Sequence, residues 1–315
     1  MVRFGLCTEE QYLRAGERRH YLGAHVAYSL LDVGESPSEE QIRAFEDISF
    51  TLRTSNGTFR TTFRQRFQDV DAAAMKWMEQ FYAADSEVEI QDRAVSHGLT
   101  SWEWAACVFQ KFPRAKFEAS DVLIELIELS RAGEAYIVEP SGRPLQYVKP
   151  PFAVSLAHPE PRRYPINRLV ALRARRRFAK LDLGQNWIET AAERGWRVRR
   201  ISCVHPLARE LARRNASFQF RLRSVFDQTS GTCDVLRTMN ILNRSYFRAE
   251  DLARGASAAF QSLRPAGIWI VGRTSEEDLK NHVSLLRRSD RGWKLLERIG
   301  SGSEIEELAL GGAGA

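Results

Sequence analysis

Two periodicities alternate along this chain. From Val88 a short apolar alternation through Ile90 predicts a strand, and Gly98 marks a small-residue loop. Thr100 or Ser101 can cap the helix that follows, because a hydroxyl accepts a bond from a free first-turn N–H. Trp102, Ala105, Ala106 and Phe109 are predicted to share one face of that helix, and Pro113 ends it. Lys116 to Ser120 alternates again, and Asp121 closes the run. The pattern is strand, loop, helix, strand, acid.

The residues before this stretch read as helical. Glu9 to Leu31 carries a loose stripe of Tyr12, Tyr21, Val26 and Leu30, with His20 and His25 on different sides. Ser36-Pro37-Ser38-Glu39 reads as a capping box with proline at the first helical position, ahead of an apolar face of Ile42, Phe45, Ile48 and Leu52. Asn56-Gly57 marks a turn. Phe59, Phe63, Phe67, Val70, Ala74, Trp77, Met78 and Phe81 then recur at three- and four-residue steps, which predicts one long helix.

After Asp121, Val122 to Leu129 reads as helix or strand. Ala135 to Val138 and Leu145 to Val148 flank a hairpin signal, and Ile166 to Leu181 reads as a helix with Leu169, Val170, Leu172 and Phe178 on its apolar side. Arg168, Arg173, Arg175, Arg176 and Arg177 crowd that helix. They suit a solvated face, or contact with an acidic partner, a phosphate or an anionic membrane surface. The segment from about 133 to 195 is too long for a plain connection and is expected to be an insertion. Val198 to Val204 is expected to resume the main sheet, followed by a helix from Pro206 and strands at Phe218 to Phe226, Cys233 to Leu242 and Ile268 to Gly272. His282 to Leu286 and Trp293 to Glu297 make a closing hairpin, and Ser301 to Ala315 is expected to fray.

Composition changes this picture little. The 315 residues are 43% hydrophobic and 27% charged, ordinary for a globular chain. No apolar run is long enough to span a bilayer, and the N-terminus lacks the apolar core of a signal peptide, so a cytoplasmic location is expected. Cys7, Cys107, Cys203 and Cys233 are widely spaced, which supports neither a disulfide framework nor a zinc site. No metal is expected. The net charge of +6 comes mostly from arginine, but no recognised nucleic-acid module accompanies it.

The chemistry sits in the strand–loop–helix–strand unit. A small-residue loop lets a ligand lie against the backbone, a helix N-terminus offers free N–H groups, and an acid at the next strand tip can accept bonds from both ribose hydroxyls. Asp92, Ala94, Ser96, Gly98 and Asp121 resemble motif I and the ribose acid of class I S-adenosylmethionine-dependent methyltransferases, with alanine and serine at two usual glycine positions. Asp234 to Leu242 resembles the fourth strand of that family, Leu263-Arg264-Pro265-Ala266-Gly267 its Leu-Lys-Pro-Gly-Gly, and Ile268 to Val271 its fifth strand. Asn240-Ile241-Leu242 is also similar to the Asn-x-Leu of chemotaxis-receptor methyltransferases.

The resemblance implies an α/β fold: a Rossmann-like methyltransferase sheet with a closing antiparallel hairpin, a helical N-terminal cap over 1–85, and a domain over 86–315 carrying the insertion. It implies S-adenosylmethionine as cofactor. Asp92 to Gly98 would face its methionine part, Asp121 its ribose, Ser224 to Asp227 its adenine, and Asn240 and Asn243 the reacting methyl. His205 competes with Asp121 for the ribose. A base helps where the acceptor is a hydroxyl, and His97, His205 and Tyr246 are the candidates. The chain lacks the Asn-Pro-Pro-Tyr of many amino-methylating enzymes, so a small-molecule acceptor methylated at oxygen is expected. The alternatives are a non-catalytic binding protein that keeps the fold, and a protein carboxyl methyltransferase.

Overall fold

A computed structural model describes residues 2–16, 25–55, 57 and 60–311. His20, Tyr21, Asn56, Phe59 and the last four residues of the C-terminal segment lie outside this range. In chain order the strands are β1 (Gly5–Leu6), β2 (His25–Val26), β3 (Glu89–Arg93), β4 (Lys116–Asp121), β5 (Glu125–Arg131), β6 (Glu134–Val138) and β7 (Pro144–Lys149). They continue with β8 (Phe152–Ser155), β9 (Arg197–Ser202), β10 (Phe218–Leu222), β11 (Cys233–Met239), β12 (Leu263–Thr274), β13 (Asn281–Ser289) and β14 (Gly292–Ile299). The chain divides into two compact units, Met1–Thr61 with Leu123–Pro206, and Thr62–Val122 with Leu207–Ala315.

The second unit holds a seven-stranded sheet of order β10-β4-β3-β11-β12-β13-β14. Strands β10, β4, β3, β11 and β12 run parallel, while β13 is antiparallel to β12 and β14 to β13. The chain lays down β3, β4 and β10 outward on one side, then returns to place β11 and β12 on the other side of β3. The direction of travel therefore reverses between β3 and β11, the position where doubly wound sheets open a ligand crevice. This is the Rossmann-like α/β fold with a closing hairpin that the resemblance implies. Buried runs such as Val235-Leu236 and Ile268 to Val271 suit strands covered on both faces. Leu252, Ala256 and Ala259 of the helix Ala249–Ser262 pack with Leu236, Trp269 and Val271.

The other unit is built from two separated chain segments. Its sheet, of order β8-β7-β6-β5-β9, is antiparallel throughout. Tyr12, Phe45, Ile48 and Leu52 pack with Leu126, Ile137, Leu145 and Ile201. Ala171, Ala174 and Trp196 pack with Ile127, Leu129, Tyr136 and Val138, the neighbouring positions along the same strands. The division of the chain thus differs from the one expected. The insertion opens and closes on the pairing of Glu125 with Ser202, so it runs from 123 to 206, and β9 belongs to this sheet instead of resuming the main one.

Several local expectations are corrected. From Glu9 the described helix runs to Ala15 with Gly16 at φ +49° as its cap, and His25 and Val26 form β2 instead of continuing a helix. The reciprocal capping box is Ser38 with Gln41, so Ser38 is the cap of Glu39–Thr51 and Pro37 precedes the helix. The long aromatic helix begins only at Gln68. Gln65 sits at φ +59°, and its N–H donates to Glu103, which turns the chain before the helix starts. The C-terminal segment is pinned through Glu306 of the short helix Glu306–Gly311. Glu306 accepts from Arg298 Nε (2.9 Å) and from the Ser284 hydroxyl, whose oxygen in turn accepts the Ser303 N–H at 2.8 Å.

The hydrogen bond from Arg298 holds the Glu306 carboxyl below its ordinary range, against burial. A depressed carboxyl contributes stability above its unfolded pKa and loses it as pH falls through the lower folded value. Glu306→Gln is expected to unfold about 1–2 kcal/mol more easily at neutral pH, by loss of a charge-assisted bond. In denaturant melts the gap between the two proteins should shrink on acidification.

Candidate functional site

The loop between β3 and the helix Leu99–Lys111 has an unusual backbone. Ala94 lies at φ +61°, Ser96 at +59° and Gly98 at +79°, while the intervening Val95 and His97 are not left-handed. Positive φ at these alternate positions folds the loop tightly back on itself, and the Gly98 N–H closes a turn on the Val95 carbonyl at 2.9 Å. The three left-handed residues are the three that the sequence aligned with motif-I glycines. The Ser96 N–H donates to Asp121 Oδ2 at 2.8 Å, and the Val95 N–H to the Ser120 carbonyl at 3.2 Å. The loop and the tip of β4 are therefore adjacent.

Gly98 is itself the N-cap and carries no side-chain cap, so neither Thr100 nor Ser101 serves as one. Both sit in the first helical turn, and the Ser101 hydroxyl donates to Asp92 Oδ2 at 2.7 Å. The buried stripe is Ser101, Trp104, Ala105 and Val108, shifted from the expected Trp102, Ala106 and Phe109. A Cβ on Gly98 would lie 2.1 Å from Cζ of Phe220. Glycine is required there twice over, by its φ and by the ring that lies against its Cα.

Phe220, Ala119, Asp92 and Arg237 are register neighbours across β10, β4, β3 and β11, so their side chains share one face. Arg237 is 1% exposed. Its Nε donates to Asp92 Oδ1 at 3.0 Å, a second guanidinium nitrogen reaches Asp92 Oδ2, and a third contacts Asp71 of the helix Gln68–Phe81. The Thr100 carbonyl accepts at 3.3 Å, and the Trp104 ring centroid lies 4.3 Å from Cζ. Burial opposes the arginine's charge, but Asp92 and Asp71 hold its pKa above the ordinary value. Burial pushes the Asp71 carboxyl up to about 7 against the pull of Arg237. The Asp92 carboxylate thus faces Arg237 and Ser101. Sequence reasoning missed Arg237, Asp71 and Phe220. The available signal was a charge inside the apolar strand Val235-Leu236-Arg237, which demands a buried partner.

The remaining positions fall in four places. Ser224 and Asp227 form the turn after β10, with the Ser224 N–H donating to Asp227 Oδ2 at 2.9 Å and Arg93 to the Asp227 carbonyl at 2.7 Å. Asn240, at φ +60°, ties the end of β11 to β12 by accepting the Thr274 N–H at 2.8 Å. Asn243 caps the following turn by accepting from Ser245 and Tyr246. His97 is buried in the loop, and Tyr246 is exposed. His205 belongs to the other unit, where its Nε2 lies 3.0 Å from Glu46 and its ring packs edge-on against Phe45.

Beyond the carboxyl ends of β11 and β12 lies a cavity of about 350 Å³, lined by Leu242, Arg273, Asp278, His282, Ser301 and Glu304 among others. Nδ1 of His282 accepts the Ser301 N–H at 2.9 Å, which places the ring proton on Nε2, 3.1 Å from Asp278. The Ser301 hydroxyl is 2.7 Å from the same Nδ1. Among the described residues, no three of His, Cys, Asp and Glu gather as a metal site. No described helix is long and apolar enough to cross a membrane.

No family model and no curated protein matches the chain. Solved structures do align. The CMeT domain of the citrinin polyketide synthase is 8% identical, with a TM-score of 0.35 over 76% of this chain and 40% of that one. The PH0226 protein of Pyrococcus horikoshii OT3 is 11% identical, with a TM-score of 0.35 over 87% and 89%. The 1,6-didemethyltoxoflavin N1-methyltransferase of Burkholderia thailandensis, solved with S-adenosylhomocysteine, is 10% identical, with a TM-score of 0.34 over 79% and 67%. The chain spans 40%, 34% and 57% of the first three structures it aligns with. The Rossmann-like assignment itself rests on the strand order.

Two substitutions test this geometry. Gly98→Ala is expected to destabilise by about 1–3 kcal/mol, from left-handed strain and the Phe220 clash together. Adding Phe220→Ala removes the clash alone, so a double-mutant cycle in urea should show positive coupling. Arg237→Met leaves the buried Asp92 carboxylate without its cation and is expected to cost about 3–5 kcal/mol.

Proposed function

We propose that the Rossmann-like unit binds S-adenosylmethionine and transfers its methyl group to a small-molecule acceptor, at oxygen. The observation that carries this reading is the left-handed triplet at Ala94, Ser96 and Gly98 beside the carboxylate of Asp121. A non-glycine residue at positive φ costs about 1–2 kcal/mol. Two such residues in one loop keep a shape that local energetics disfavour, and strain of this kind concentrates at functional sites. In this reading the backbone of Asp92 to Gly98 faces the methionine portion and Asp121 accepts from the ribose hydroxyls. Ser224 and Asp227 flank the adenine, and Asn240 stands by the methyl. The Asp92 carboxylate acts through Arg237, by fixing the strand from which the loop departs.

The sulfonium already activates the methyl, so the chain's task is to align the acceptor and exclude water. The cavity beyond β11 and β12 is of small-molecule size. His282, oriented by Asp278, and the Ser301 hydroxyl line this cavity and offer polar contacts suited to orienting an acceptor hydroxyl.

One observation favours a second reading, a binding protein without catalysis. Asp121 already accepts the Ser96 N–H, so the loop and the acid satisfy each other. Calorimetry with S-adenosylmethionine and S-adenosylhomocysteine separates the two. Binding is expected, with Asp121→Asn weakening it about tenfold or more through loss of charge-assisted bonds. Neither heat nor thermal shift at millimolar ligand would leave the binding protein. Unchanged affinity in Asp121→Asn would remove that residue from the site.

A further inference from the structure

The helix Pro165–Ala179 buries one side and leaves an unusual surface on the other. Asn167, Ala171 and Ala174 are its buried positions, and Val170 and Phe178 are partly buried against the same core. On a helix turning 100° per residue, Leu169, Leu172, Arg173 and Arg176 point away from that core. Ile166, Leu169 and Leu172 are 43%, 47% and 43% exposed, so the apolar side expected from the sequence is only partly the packed one. The stretch from Pro161 to Leu181 contains eight cations and no acid. Two of these are used internally: Arg175 donates to the Leu156 and His158 carbonyls, and Arg177 pairs with Glu134 at 2.9 Å. Arg168, Arg173 and Arg176 are exposed. Near the start of the helix, Asn167 holds the Arg3 backbone through both its N–H and its carbonyl, and the next residue, Phe4, is 62% exposed.

We propose that this face is a docking surface for an anionic lipid bilayer, with the helix lying in the plane of the headgroups. A second copy of the chain would set arginines against arginines. A nucleic acid would reward the arginines but gain nothing from three aliphatic side chains left in water. A bilayer uses both, because leucine and isoleucine enter the acyl boundary while arginine stems lie along it and their guanidinium groups reach lipid phosphates. The proposal is independent of any methyl transfer.

The test is co-sedimentation of the 315-residue chain with phosphatidylcholine vesicles, with and without phosphatidylserine, at low and physiological salt. Binding is expected only with phosphatidylserine, and weaker at higher salt. Arg173→Gln with Arg176→Gln should weaken it about 25-fold, at about fivefold per cation. Leu169→Ser with Leu172→Ser should weaken it by a further, salt-independent factor of about tenfold or more. These side chains are exposed, so circular dichroism should show both variants folded. Failure of the parent chain to sediment with phosphatidylserine vesicles overturns the proposal. So does full retention of binding by the leucine variant, which would reduce the surface to a polycation of the kind a nucleic acid meets.

Discussion

A single guanidinium, that of Arg237, joins the parts of the Rossmann-like unit that must stay in register. It sits on β11 and grips Asp92 on β3, so it spans the point where the sheet changes direction. It also touches Asp71 on one helix and the Thr100 carbonyl at the start of another. Taking these charges out of water costs several kcal/mol per ion, and only close geometry returns it. A slip of either strand by one residue would turn Arg237 or Asp92 to the opposite face and leave buried charge without a partner. The network therefore acts less as a source of stability than as a specification of register.

That specification reaches the loop. Asp92 is followed at once by Arg93 and Ala94, and Ser101, which donates to Asp92, lies three residues beyond Gly98. Both ends of the left-handed segment are thus tied to one carboxylate. Asp121 holds the middle through the Ser96 N–H, and Phe220 lies against Gly98. A backbone shape that alanine and serine would not choose persists because its neighbours leave it no other.

Much of this architecture was legible in the alternation of residues. The unit from Val88 to Asp121, the strands around Val235 and Ile270, and the closing hairpin all follow from short-range pattern, because each buries its apolar positions against whatever lies next to it. What failed was long-range or conformational. Val198 to Val204 reads as a strand but cannot announce its partner, and it pairs with β5 in the second sheet. The aromatic spacing from Phe63 to Phe67 suits a helix, yet a left-handed Gln65 delays it to Gln68. Thr100 and Ser101 have capping chemistry, but Gly98 takes the cap and Ser101 turns inward to Asp92. The loop positions are singled out in the sequence only by their resemblance to a glycine pattern. The residues that support them, Arg237 and Phe220, arrive from well over a hundred positions later, and no local rule connects them.

The unit carrying the antiparallel sheet is discontinuous in sequence, its two segments separated by part of the other unit's chain. Its chain leaves at Thr61 and returns at Leu123, after a helix, a strand, a second helix and a further strand have been spent elsewhere. During synthesis neither body can close early: the first waits for β9, and the second waits for the hairpin near the C-terminus. Growing chains of this kind hold unfinished sheet edges for much of their elongation, when exposed strands are most prone to mispair. Nor can a single cut release either body intact. The two share their birth order, and the inner strands of the Rossmann-like sheet must idle: β4 waits for β10 at Phe218–Leu222 and β3 for β11 from Cys233.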